Sequence, residues 1–194
     1  EQIGHYINGA RTVGTSGRTA DVFNPATGEV QAQVALASKA ELDAAVAAAA
    51  AAQPAWGATN PQKRARVMMK FVALLNRDMD KLAEALSREH GKTFVDAKGD
   101  VQRGLEVIEF CVGAPHLLKG EFTDSAGPGI DMYSMRQPLG VVAGITPFNF
   151  PLNLAAHKIG PAIAVGCPWI LKPASATPIS ALLLGEILAE TELP

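Results

Sequence analysis

Charge of one sign is what this 194-residue chain lacks first: 17 Lys and Arg stand against 19 Asp and Glu. A net charge of −2 gives no electrostatic handle for nucleic acid or for an anionic membrane surface. Cysteine is scarce too. Cys111 and Cys167 form neither a disulfide framework nor a metal-ligand spacing, and a reducing compartment is the default for such a chain. The four histidines and the acidic residues show no ligand spacing either, so no metal site is expected. No apolar run reaches the roughly 18 residues of a membrane helix, since Ile159 to Leu171 is interrupted by two prolines and two glycines. Glu1-Gln2-Ile3-Gly4-His5 shows no basic segment ahead of an apolar run, which gives the expectation of a cytoplasmic chain, or of one in the mitochondrial matrix. Also missing is Gly-x-Gly-x-x-Gly, the fingerprint that cradles a pyrophosphate.

What remains is ample material for a core, at 48% hydrophobic residues. Asn8-Gly9 between Tyr6-Ile7 and Ala10 predicts a tight hairpin, and Asn24-Pro25-Ala26-Thr27-Gly28 a second turn. Ser38 with Glu41 reads as a capping box that opens an alanine-rich helix ending near Gln53-Pro54. Asn60-Pro61 opens a long helix that Gly91 stops, with Val67, Phe71, Leu74, Leu75, Leu82 and Leu86 on its apolar face. Thr93 opens a third, which Pro115 kinks or ends; Cys111 lies on its inner face, while Glu106 and Glu109 fit a solvated one. Such tandem amphipathic helices predict a helical layer packed on something flat.

Beyond Gly120 the texture changes. Gly127-Pro128-Gly129 is a turn, and Leu139 to Ile145 is a continuous apolar run, the form of a strand buried on both faces. A helix over roughly Asn153 to Val165, a short strand Trp169-Ile170-Leu171 and a helix over Pro178 to Glu190 complete a βαβα pattern, hence an α/β fold with a parallel sheet. The expected organisation is a strand and hairpin region over 1–37, a helical layer over 38–120, and βα units over 121–194.

Ligands of open parallel sheets sit at the carboxyl ends of the strands. Here those ends are Ile145-Thr146-Pro147-Phe148-Asn149-Phe150-Pro151 and Lys172-Pro173-Ala174-Ser175-Ala176. The Asn149 amide, held between prolines, is a neutral donor suited to a developing oxyanion, or else a group that bonds only turn backbone. Lys172 either meets ribose hydroxyls or phosphate, or extends its ammonium to solvent.

The loop Pro147-Phe148-Asn149-Phe150-Pro151, with Lys172-Pro173 following 23 positions after Asn149, resembles the aldehyde dehydrogenase superfamily. Tyr6-Ile7-Asn8-Gly9, Asn24 to Glu29, the surroundings of Trp56, and Glu89-His90-Gly91-Lys92-Thr93 support the likeness in chain order. Residues 1–150 are most similar to the acylating methylmalonate-semialdehyde branch, through Gly99 to Val107 and Asp131 to Val141, and residues 151–194 to non-acylating branches.

The resemblance implies a Rossmann-like nucleotide-binding domain, oxidation of an aldehyde through a cysteine thioester, and homodimers or homotetramers. It implies Asn149 as the oxyanion donor. Ile145, Thr146, Pro147, Phe148, Lys172, Ser175 and Ala176 then contact NAD or NADP, with coenzyme A as a possible acyl acceptor. Ser175 stands where many NAD-preferring relatives carry a Glu, and loss of a carboxylate removes a barrier to a 2′-phosphate. Neither cysteine lies in the family's Gly-Gln-x-Cys segment, which gives the expectation of an N-terminal portion of a longer protein, inactive by itself. A hydrolytic aldehyde dehydrogenase (succinate-semialdehyde or lactaldehyde type) and a non-catalytic dinucleotide-binding module are the alternatives.

Overall fold

The computed structural model describes all 194 residues. Its first part is built from short strands: β1 (Gln2–Ile3), β2 (His5–Ile7), β3 (Ala10–Thr12), β4 (Thr19–Phe23) and β5 (Val30–Ala35). Asn8 and Gly9 both take positive φ, 52° and 73°, as a two-residue turn between antiparallel β2 and β3 demands. β5 is central to a three-stranded sheet, antiparallel to β4 and parallel to β1. Ile3, Val22, Ala32 and Val34 form its small core.

Five helices follow: α1 (Lys39–Ala58), α2 (Pro61–Arg77), α3 (Met79–His90), α4 (Phe94–Val112) and the single turn α5 (Ala114–Leu117). The capping box at α1 forms as expected, with Ser38 Oγ accepting from Glu41 N and Glu41 Oε2 accepting from Ser38 N. Glu41 also accepts from Thr15 N at 2.6 Å, and these backbone donors pull its carboxyl down to about 2.

Two expectations fail in this region. Pro54 does not end α1, which runs a further turn to Ala58. Pro54 faces solvent, where water reaches the carbonyl it leaves unpaired, and the last turn is anchored by buried Trp56, whose Nε1 donates to Ile163 O at 3.1 Å. The helix expected over 60–91 is two helices divided at Asp78, with Gly91 (φ 85°) closing the second. A bend there lets Met68, Phe71 and Leu75 of one and Leu82 and Leu86 of the other face one core.

The remainder comprises the exposed hairpin β6 (Phe122–Gly127) and β7 (Ile130–Tyr133), then β8 (Val142–Ile145), α6 (Pro151–Val165), β9 (Trp169–Lys172) and α7 (Ile179–Ala189). β8 and β9 pair in parallel, with Val142 opposite Trp169 and Ile145 opposite Lys172. The apolar run before α6 is not buried on both faces: pairing starts only at Val142, Leu139 is 92% exposed, and Ile145 is 71% exposed. The reason is that this sheet has two strands, and α6 covers one side of it, with the Lys158 stem lying over Gly144.

The main core does not lie between helices and a flat sheet. It is a cluster of 23 buried residues drawn from α1 to α7, in which α2 and α3 pack chiefly on α4 and α4 packs on α6. α4 and α6 approach closely because glycine stands at both crossings. A Cβ on Gly104 would lie 3.0 Å from Leu152 Cδ2, and one on Gly160 would lie 2.7 Å from Ile108 Cδ1. Arg64 is buried here as well, donating to Ala164 O at 3.0 Å and to Thr59 O, and so serves the carbonyls left open at two helix ends.

Candidate active site at the ends of two parallel strands

Because Ile145 is in register with Lys172, the two segments that follow leave the same edge of the sheet. Thr146 N continues the ladder, donating to Lys172 O at 3.2 Å. The parallel pairing therefore brings the Asn149 loop beside the Lys172 to Ala176 loop, which sequence position alone separates by a whole helix. Asn149, Phe148, Lys172 and Ala176 are exposed along this edge, and Ser175 is half-buried. Thr146 is buried at 4% exposure, so it offers the edge its position rather than its side chain, and its hydroxyl has no partner in the chain.

The Asn149 amide makes no hydrogen bond within the chain, so the reading in which it bonds only turn backbone does not hold. Pro147 and Pro151 limit the backbone on either side, Pro151 at the first turn of α6. The Lys172 ammonium likewise has no acidic partner. The edge thus presents one neutral donor and one free cation, a set that suits a carbonyl oxygen and sugar hydroxyls.

A phosphate is not served equally well, for a reason absent from the sequence reading. Neither helix leaving this edge has a local cap: Phe150 and Pro178 stand at the N-cap positions of α6 and α7. Buried carboxylates from elsewhere take the open N–H groups. Asp100 Oδ1, on α4, accepts from Asn153 N at 2.9 Å. Glu89, at the end of α3, accepts from Ile179 N at 2.6 Å, from Ser180 N at 3.0 Å and from Ser180 Oγ. With carboxylates already seated, these two helix N-termini are closed to a further anion. That agrees with the missing glycine fingerprint and narrows Lys172 toward hydroxyl partners.

Asp100 is itself paired. Its Oδ2 accepts from Lys92 Nζ at 2.7 Å, and the same ammonium lies 4.0 Å from the centre of the Phe150 ring, next to Asn149. Burial pushes the Glu89 carboxyl up to about 7, with the Ser180 and Ile179 donors working in the opposite direction. Sequence reasoning singled out neither acid. The signal available was the absence of any capping side chain before α6 and α7, because buried N–H groups must find partners somewhere.

The other candidates stay away from the edge. Cys111 is buried in the core and its thiol is pushed up to about 11 by burial, and Cys167 is buried at 2% exposure. Neither is presented as a nucleophile. His157, Lys158, Glu106 and Glu109 are all exposed on their helices. No group of acidic, His or Cys side chains is arranged to hold a metal, and no helix is long and apolar enough to cross a membrane.

Comparison with known proteins extends this picture. The chain is 48% identical over 190 residues to malonate-semialdehyde dehydrogenase of Pseudomonas aeruginosa, covering 98% of this chain and 38% of that protein. Among solved structures, a Sinorhizobium meliloti 1021 protein described as methylmalonate-semialdehyde dehydrogenase, in complex with NAD, matches with TM-score 0.98 and 62% identity. Methylmalonate-semialdehyde dehydrogenase from Oceanimonas doudoroffii matches with TM-score 0.96 and 47% identity. Both structural matches cover all of this chain, residues 151–194 included, and 40% and 39% of the respective neighbours. The chain therefore spans about two fifths of the length of these relatives. The model of the Aldehyde dehydrogenase family matches residues 12–194, and the chain belongs to that family.

Proposed function

We propose that this chain supplies the first nucleotide-binding strands and the oxyanion-binding amide of an NAD(P)+-dependent aldehyde dehydrogenase acting on malonate or methylmalonate semialdehyde. The observation that supports the reading is the parallel register of β8 with β9, by which the segment carrying Asn149 and the segment that begins at Lys172 leave the same edge of the sheet. The likeness to semialdehyde dehydrogenases supports the substrate class. In this reading residues 1–37, 38–120 and 121–194 are three structural parts of one longer enzyme, which forms homodimers or homotetramers.

The bound nucleotide supplies the hydride acceptor. The work of this chain is to place reactants. Asn149 donates its amide N–H to the aldehyde oxygen, and the bond strengthens as that oxygen gains charge, stabilising the tetrahedral state without exchanging a proton. Lys172 would donate to the ribose hydroxyls of a bound nucleotide, next to Ser175 and Ala176. Ile145, Thr146, Pro147 and Phe148 would help to hold the nucleotide at the same strand ends. The attacking thiolate comes from outside these residues, since Cys111 and Cys167 are both buried. Coenzyme A takes the acyl group in the acylating version that residues 99–107 and 131–141 favour. Release of free acid alone would mark the hydrolytic version.

The test joins this chain to the remainder of the Sinorhizobium meliloti relative and measures semialdehyde-dependent NADH and acyl-coenzyme A formation. Asn149→Ala is expected to lower turnover by about 10²–10³, the usual cost of one oxyanion donor, with nucleotide affinity nearly unchanged. Normal turnover in that variant would overturn the assignment.

A further inference from the structure

The turn between α3 and α4 reaches the starts of α6 and α7, the helices that follow the two candidate loops, through side chains to which the site assignment gives no role. Gly91 sits at φ 85°, with Pro25 where a Cβ would go, so the chain reverses there only with glycine. Ser87 Oγ donates to Lys92 O at 2.7 Å and Gly91 N to Ser87 O at 2.9 Å, which fixes the turn. On one side of the reversal, Glu89 (3% exposed) seats the first N–H groups of α7, just beyond Lys172 to Ala176. On the other, Lys92 pairs with Asp100 (2% exposed), which seats Asn153 N two residues past Pro151, while the ammonium covers Phe150. One rigid four-residue turn thus reaches the N-termini of both helices whose preceding loops carry the site.

We infer that Glu89 and the Lys92–Asp100 pair are positioning residues with separable tasks: Glu89 sets the Lys172 to Ala176 loop against the nucleotide, and Lys92–Asp100 sets the Asn149 amide against the reacting oxygen. The inference rests on the function proposed above. A loop displaced by an ångström at the reacting centre loses turnover on the order of 10²-fold, whereas a displaced ribose contact weakens nucleotide binding in ground and transition states alike. The two arms should therefore fail differently, which general loosening of the fold would not do.

The experiment uses the same joined enzyme and the isosteric variants Asp100→Asn and Glu89→Gln, with Lys92→Met as a second, milder route into the first arm. Asp100→Asn and Lys92→Met are expected to lower kcat about tenfold or more while KM for NAD+ stays within about twofold. Glu89→Gln is expected to raise KM for NAD+ about tenfold with kcat within about threefold. Equal losses of both parameters in all variants, or no loss in any, would overturn the inference. Backbone hydrogen exchange on the 194-residue chain supplies the second readout. Asp100→Asn should speed exchange at 148–153 and spare 177–181, and Glu89→Gln should do the reverse. An inactive unmutated enzyme counts against the proposed function instead, and the exchange pattern then decides the clamp alone: a matching response to both variants refutes it.

Discussion

Gly160→Ala probes a close helix–helix contact, the crossing of α4 with α6 that brings Asp100 to the start of α6. The new methyl would lie 2.7 Å from Ile108 Cδ1 and 3.4 Å from Cys111 Sγ. Ile108 is fully buried, so its terminal methyl has no solvent to swing into. Overpacking of this kind costs about 1–3 kcal/mol. Against that, alanine gains about 1 kcal/mol of helix propensity over glycine. The expected net effect is a loss of about 1 kcal/mol. Ile108→Val removes the clashing Cδ1 and alone costs about 0.5–1.5 kcal/mol. In that background Gly160→Ala should change sign and stabilise by about 0.5–1 kcal/mol, because only the propensity gain survives. Urea unfolding of the four proteins in the cycle, followed by the fluorescence of Trp56 and Trp169, reads the coupling directly. Additivity within about 0.3 kcal/mol would refute the claim that these two groups collide.

Two further outcomes follow from the site. Glu89 has a folded pKa raised from 4.5 to about 7, so its contribution to stability is fully present below 4.5 and is lost as pH rises through 7. The shift corresponds to about 3 kcal/mol at most, and the difference in urea stability between pH 4.5 and 8 should shrink in Glu89→Gln; an unchanged pH profile would show that Glu89 does not titrate there. Ser175→Glu in the joined enzyme should move the ratio of kcat/KM values toward NAD+ chiefly by weakening NADP+, and a ratio that does not move places Ser175 away from the ribose.

Local chemistry was readable wherever the cause and the effect lie a few residues apart. Asn8-Gly9 demanded its turn and Ser38 and Glu41 their capping box; the one longer-range feature that was legible was the parallel pairing of β8 with β9, read from the alternation of apolar strand, helix and apolar strand. The α/β class followed from that pairing. Failures came where distant residues decide. Trp56 holds α1 past Pro54 through Ile163, which lies more than a hundred positions away. Arg64 reads as one of the polar residues between apolar positions, yet it is buried against the end of α6. The capping roles of Glu89 and Asp100, and the pairing of Lys92 with Asp100, carry no local signal, because each answers an N–H group or charge contributed by another element. The hint was negative: Phe150 and Pro178 cannot cap the helices they precede.

The division of labour along the strand-end edge is tested most directly by nucleotide dissociation constants, measured for the joined enzyme and its Lys172→Met and Asn149→Ala variants in one titration series. Lys172→Met should weaken NAD+ by about tenfold, the order of 1.4 kcal/mol expected for hydrogen bonds from a charged donor. Asn149→Ala should bind NAD+ within about twofold of the parent while losing turnover. Equal weakening by both substitutions, or undiminished affinity in Lys172→Met, would contradict the assignment of ribose to Lys172 and oxyanion to Asn149.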